Sequence, residues 1–70
     1  MCGIIGFTGK EQAPKILLQG LERLEYRGYD SAGIAVYQNN SIQVLKAKGR
    51  LNNLRELVQK TPLDSTCGIG

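Results

Sequence analysis

The sequence predicts a small α+β unit in which strands and two amphipathic helices follow the order β-α-β-β-α-β. Three observations carry this. Short apolar runs flanked by glycine open and close the chain, two stretches repeat leucines at helical spacing, and an Asn-Asn pair at 39–40 divides two β-prone runs.

Taken in order, residues 2–8 (Cys-Gly-Ile-Ile-Gly-Phe-Thr) are apolar and glycine-flanked, which predicts a buried strand with Ile4 and Ile5 anchored in the core. A helix follows, because Ala13, Ile16, Leu17, Leu21 and Leu24 share one face while Lys15, Gln19, Glu22 and Arg23 lie elsewhere. Pro14 suits its first turn, and Gly28 is the expected stop. Residues 26–33 (Tyr-Arg-Gly-Tyr-Asp-Ser-Ala-Gly) predict a turn built on Asp30 and Ser31. Residues 33–37 and 41–47 then form an antiparallel hairpin around Asn39 and Asn40, since Asn tolerates positive φ. Leu51, Leu54, Leu57 and Val58 mark a second helix over 50–60, closed before Pro62. Residues 66–70 begin another apolar strand, and no turn or polar tail follows it, so the 70 residues are expected to be the opening of a larger domain.

Composition narrows the function. Apolar types make up 41% of the chain and charged types 21%, ordinary for globular protein, and no apolar run nears the ~18–20 residues of a membrane span. The first residues lack a signal-like stretch, so a cytoplasmic protein without a membrane partner is expected. The net charge of +3 is scattered, with Lys46, Lys48 and Arg50 as the single tight basic group, and four aromatics give little to stack on bases. Nucleic acid is therefore not an expected partner. The absence of His removes the commonest general base, and two cysteines fall short of a zinc site. Cys67 reads as a reduced thiol.

Cys2 is different. Cys is small enough for Met1 to be removed, and the new N-terminal residue would hold a thiol beside a free amine whose unperturbed pKa is about 7.7–8.0. That amine can accept the thiol proton, directly or through water, so the nucleophile brings its own base. A cysteine at position 2 is by itself most simply an incidental small residue. Its flanks change the weighing: Gly3 leaves room beside the backbone, and a strand end is a rigid mount.

Met-Cys-Gly-Ile-Ile-Gly at 1–6, followed at 21–35 by Leu-Glu-Arg-Leu-Glu-Tyr-Arg-Gly-Tyr-Asp-Ser-Ala-Gly-Ile-Ala, closely resembles the opening of the isomerising glutamine–fructose-6-phosphate aminotransferases. The first motif is shared with other N-terminal-nucleophile amidotransferases, and Arg-Gly-x-Asp-Ser-Ala-Gly with the amidophosphoribosyltransferase of purine synthesis. Tyr26 and Tyr29 favour the hexosamine enzymes. The resemblance implies a four-layer αββα N-terminal-nucleophile (Ntn) hydrolase sandwich with mostly antiparallel sheets. Residues 1–70 would be its incomplete glutaminase domain, the rest of that domain and a sugar isomerase domain lying beyond. It implies Cys2 as nucleophile toward glutamine, ammonia delivered to fructose 6-phosphate, no metal or other cofactor, and a homodimeric parent.

Gly3, Arg27, Gly28, Tyr29 and Asp30 are the expected supports of the site. Arg27 or Asp30 would position the terminal amine and thiol, with Gly28 permitting a tight backbone. The competing reading is that Asp30 and Ser31 bond only to their own turn while Arg27 pairs with a nearby acid, and none of these residues is assigned to catalysis. The family's glutamine-clamping and oxyanion-hole stretches would lie past Gly70, so the segment alone is expected to be inactive. Removal of one oxyanion donor already costs ~10²–10³ in rate. Two other readings are a glutaminase-like module that only binds, and a small basic nucleic-acid-binding domain.

Overall fold

The computed structural model describes residues 3–25, 30–61 and 63–70. The elements are β1 (Gly6–Thr8), α1 (Ala13–Leu24), β2 (Ser31–Gln38), β3 (Ser41–Lys48), α2 (Leu51–Lys60) and β4 (Cys67–Ile69). The order is the predicted β-α-β-β-α-β, and the chain is α+β with one antiparallel sheet. Its strands run β1-β4-β2-β3, so the last strand in sequence sits inside the sheet.

The hairpin is the longest pairing, from Ser31↔Lys48 to Gln38↔Ser41. Asn39 and Asn40 turn it with φ of 53° and 62°, the left-handed pair that a two-residue hairpin loop requires. β2 starts two residues earlier than predicted, because Ser31 and Ala32 find partners in Lys48 and Ala47. The turn expected over 26–33 lies partly outside the described residues; within them Asp30 is a bend and Ser31 already belongs to β2.

Both helices pack on one face of the sheet. The core joins Ala13, Leu17, Leu18 and Leu21 of α1, Ile34 and Val36 of β2, and Leu51 and Leu54 of α2, with Ile5 and Phe7 partly buried against it. Pro14 takes the first turn of α1, as predicted. The helix stops earlier than expected, at Leu24 rather than near Gly28: Glu25 turns extended and gives its N–H to the carbonyls of Leu21 and Glu22. Ending there leaves Leu24 at the rim, 45% exposed, while Leu18, not anticipated, is buried. Arg50 caps α2 rather than opening it.

Two expectations about the first strand fail. Among the described residues it is only three long, and the stretch is buried on one side alone: Ile5 and Phe7 pack against the core, while Ile4 is 79% exposed. The reason is position. β1 is an edge strand whose alternate side chains face away from the helices. That outer face carries Ile4, Tyr37, Ile42, Val44 and Ile69, all exposed.

Candidate active site

The chain ahead of β1 is held by β4. Ile5 and Gly70 exchange backbone hydrogen bonds of 3.1 and 2.7 Å, and the Gly9 N–H reaches the Thr66 carbonyl at 3.0 Å, so the β1–β4 ribbon extends past both strands. Helix α1 lies directly on this ribbon. A Cβ on Gly68 would fall 2.7 Å from the Ala35 carbonyl oxygen and 3.0 Å from Leu17 Cδ1, and one on Gly70 would fall 3.1 Å from Leu21 Cδ1. Four helical residues advance about 6 Å and two strand residues about 6.6–6.8 Å, so Leu17 and Leu21 keep step with the two glycines. The result is a close, interlocked mount for the N-terminal stretch.

Gly3 sits at the end of that mount. A Cβ there would lie 3.0 Å from Leu24 Cβ and 3.2 Å from Leu24 Cδ1. The side chain that Gly3 lacks is replaced by the last residue of α1.

Asp30, at the opposite side of the second candidate segment, is exposed, and its carbonyl accepts the Gly49 N–H at 2.8 Å. That bond ties the entry of β2 to the exit of β3, where Gly49 adopts a φ of 89°. Cys2, Arg27, Gly28 and Tyr29 lie outside the described residues. The described residues bring together their chain neighbours: Gly3, next to Cys2, meets Leu24, two residues before Tyr26.

Ser65 is a supporting residue that the sequence reading missed. It is 5% exposed, and its hydroxyl bonds the Tyr37 carbonyl and lies 3.0 Å from the Cys67 carbonyl, while its own carbonyl accepts the Ala13 N–H at 2.7 Å. It pins the start of β4 to the end of β2 and the start of α1. A serine between Asp64 and Thr66 carries no local signal of this, because the links to Tyr37 and Ala13 are made far along the chain. The helices are further joined by an ion pair between Arg55 and Glu22 at 2.7 Å, at a partly exposed position where such pairs add little. Among the described residues no cluster of three or more His, Cys, Asp or Glu side chains could hold a metal. Nor is any described helix long and apolar enough to cross a membrane.

No family model matches the chain. Among curated proteins, the isomerising glutamine–fructose-6-phosphate aminotransferase of Caldanaerobacter subterraneus subsp. tengcongensis is 64% identical over all 70 residues. The chain resembles the N-terminal part of that aminotransferase. The aminotransferases of Oceanobacillus iheyensis and Clostridium acetobutylicum are 59% and 51% identical, again across the whole chain. The chain spans 12% of the length of each of these three relatives. Of the residues that the aminotransferase resemblance singles out, Gly3 and Asp30 are described, Gly3 lying against Leu24 and Asp30 bonded to Gly49.

Proposed function

We propose that this chain is the opening segment of the glutaminase domain of a glutamine-dependent aminotransferase. The observation that carries this is identity of 51–64%, across every residue of the chain, to three enzymes named for glutamine and fructose 6-phosphate. Those names support glutamine and fructose 6-phosphate as the whole protein's substrates and do not favour the purine-synthesis alternative. On this reading the parent is a cytoplasmic homodimer that uses no cofactor, and the segment on its own lacks the residues that clamp glutamine.

The chemistry follows from Cys2 once Met1 is removed. Its α-amino group takes the thiol proton, and the thiolate adds to the side-chain carbonyl of glutamine. The tetrahedral oxyanion collapses with loss of ammonia, leaving a γ-glutamyl thioester that water cleaves to glutamate and the free thiol. Ammonia then aminates fructose 6-phosphate, giving glucosamine 6-phosphate. Gly3, Arg27, Gly28, Tyr29 and Asp30 hold the terminus in place. A nucleophile on a chain end needs its neighbours fixed, and the β1–β4 ribbon under α1 favours that role.

The finer fold reading is a four-layer αββα sandwich. Its support is the outer sheet face, where Ile69 is 56% and Val44 54% exposed opposite the side on which the helices pack. An apolar sheet face of this kind asks for a second sheet upon it.

The test is the intact mass of the full-length protein after treatment with an electrophilic glutamine analogue, followed by peptide mapping. Loss of Met1 with one adduct on Cys2 is the expected result. Retained Met1, or an adduct on Cys67 instead, overturns the mechanism.

A further inference from the structure

We propose that Leu24 is a positioning residue for the nucleophile, acting through Gly3; this rests on the glutaminase reading of Cys2 above. Leu24 is the last residue of α1 and is 45% exposed. The core of α1 is already complete without it, in Ala13, Leu17, Leu18 and Leu21. What Leu24 does meet is Gly3, itself exposed, whose missing Cβ would fall 3.0 Å from Leu24 Cβ and 3.2 Å from Cδ1.

The mount explains why this contact matters. Residue 5 is fixed on both sides, by its paired hydrogen bonds to Gly70 and by Gly20, where a Cβ would meet Ile5 Cδ1 at 1.8 Å. Ile4 is 79% exposed, on the outer sheet face away from the helices. Among the described residues, the next contact with α1 toward Cys2 is Leu24 on Gly3. Consecutive Cα atoms are about 3.8 Å apart, so a contact at Gly3 acts one peptide unit from the nucleophile. Leu24 is also the last residue of α1, so the same side chain joins the end of that helix to the stretch ahead of β1.

The experiment uses the full-length protein with Leu24→Ala, Leu24→Met, Gly3→Ala and the Gly3→Ala/Leu24→Ala double variant. Readouts are kcat and KM for glutamine hydrolysis, the rate of Cys2 labelling by an electrophilic glutamine analogue, and the melting temperature. Leu24→Ala is expected to lower kcat and the labelling rate together by about 10- to 100-fold, the scale that a roughly 1 Å misplacement costs. KM should change little, and labelling should still reach one adduct per chain. Leu24→Met, which refills the space over Gly3, should recover most of the rate. Gly3→Ala should lose rate, and less than additively in the double variant, because its new Cβ and the Leu24 side chain compete for one space. Wild-type kcat and labelling rate in Leu24→Ala overturn the proposal. So does a loss that disappears once rates are scaled to the labelled fraction, since that is a folding defect alone. If the wild-type protein itself takes no label on Cys2, the glutaminase reading falls, and this proposal falls with it.

Discussion

Ile69→Lys is the sharpest probe of the uncovered sheet face. Ile69 stands at the middle of that face, paired with Gly6 on one side and Ala35 on the other, so no large neighbour shields it. It is 56% exposed. Full burial of such a side chain is worth about 1.5–3 kcal/mol, so covering the exposed part with a second sheet is worth roughly 1–1.7 kcal/mol. A lysine there forfeits that gain and places an ammonium between two sheets, which adds at least about 2 kcal/mol. The sum, about 3–4 kcal/mol, corresponds to a fall of roughly 6–15 °C in the melting temperature of a domain of 150–250 residues. Thermal denaturation of the full-length protein reads it directly. Ile42→Lys is the internal comparison: it lies on the same face but on the edge strand beside the hairpin turn, where a lysine can reach water. Its expected shift is under about 3 °C. A melting temperature for Ile69→Lys within about 2 °C of the parent, or equal losses at both positions, would refute the covered-face reasoning.

The 70-residue segment expressed alone should show no cooperative thermal transition and should bind an apolar dye, because the open face withholds stabilisation comparable to that of a whole small domain, about 5–15 kcal/mol. A sharp melt without dye binding would contradict this. Gly68→Ala should lower the urea midpoint of the full-length protein by the equivalent of about 1–3 kcal/mol, since the nearest atom to the new Cβ is the Ala35 carbonyl at 2.7 Å, part of the backbone. At the hairpin, Asn39→Ala should cost about 1 kcal/mol by forcing a Cβ residue without a local hydrogen-bonding group into positive φ, whereas Asn40→Gly should be nearly neutral. Equal urea midpoints for these two variants would show that the turn does not set the hairpin.

Much of the fold was legible because it is locally encoded. The two helices announce themselves through Leu17, Leu21, Leu51 and Leu54, all of them core residues in the structure. The Asn-Asn turn has no good alternative. What could not be read was lateral placement. Residues 2–8 and 66–70 look equally buried in sequence, yet β4 is internal and β1 lies at the edge, a difference created only by the strand order. The same blindness made Ile4 a core anchor and hid Ser65. At the candidate site, Cys2 and the segment at 26–29 stood out through residue type and motif alone. Leu24 did not, because helical periodicity assigned it to the core, whereas its partner Gly3 lies 21 positions earlier in the chain.

The placement of β4 also has a consequence in time. β1 has β4 as its strand neighbour, with Gly6 opposite Ile69 and Thr8 opposite Cys67. On a growing chain the first strand must wait for nearly sixty further residues before its partner exists. At about 5–20 residues per second that delay is roughly 3–12 s. During that interval the hairpin and the helices can form, but the amino end stays unzipped. Removal of Met1, on which the proposed nucleophile depends, would have that interval before the ribbon closes.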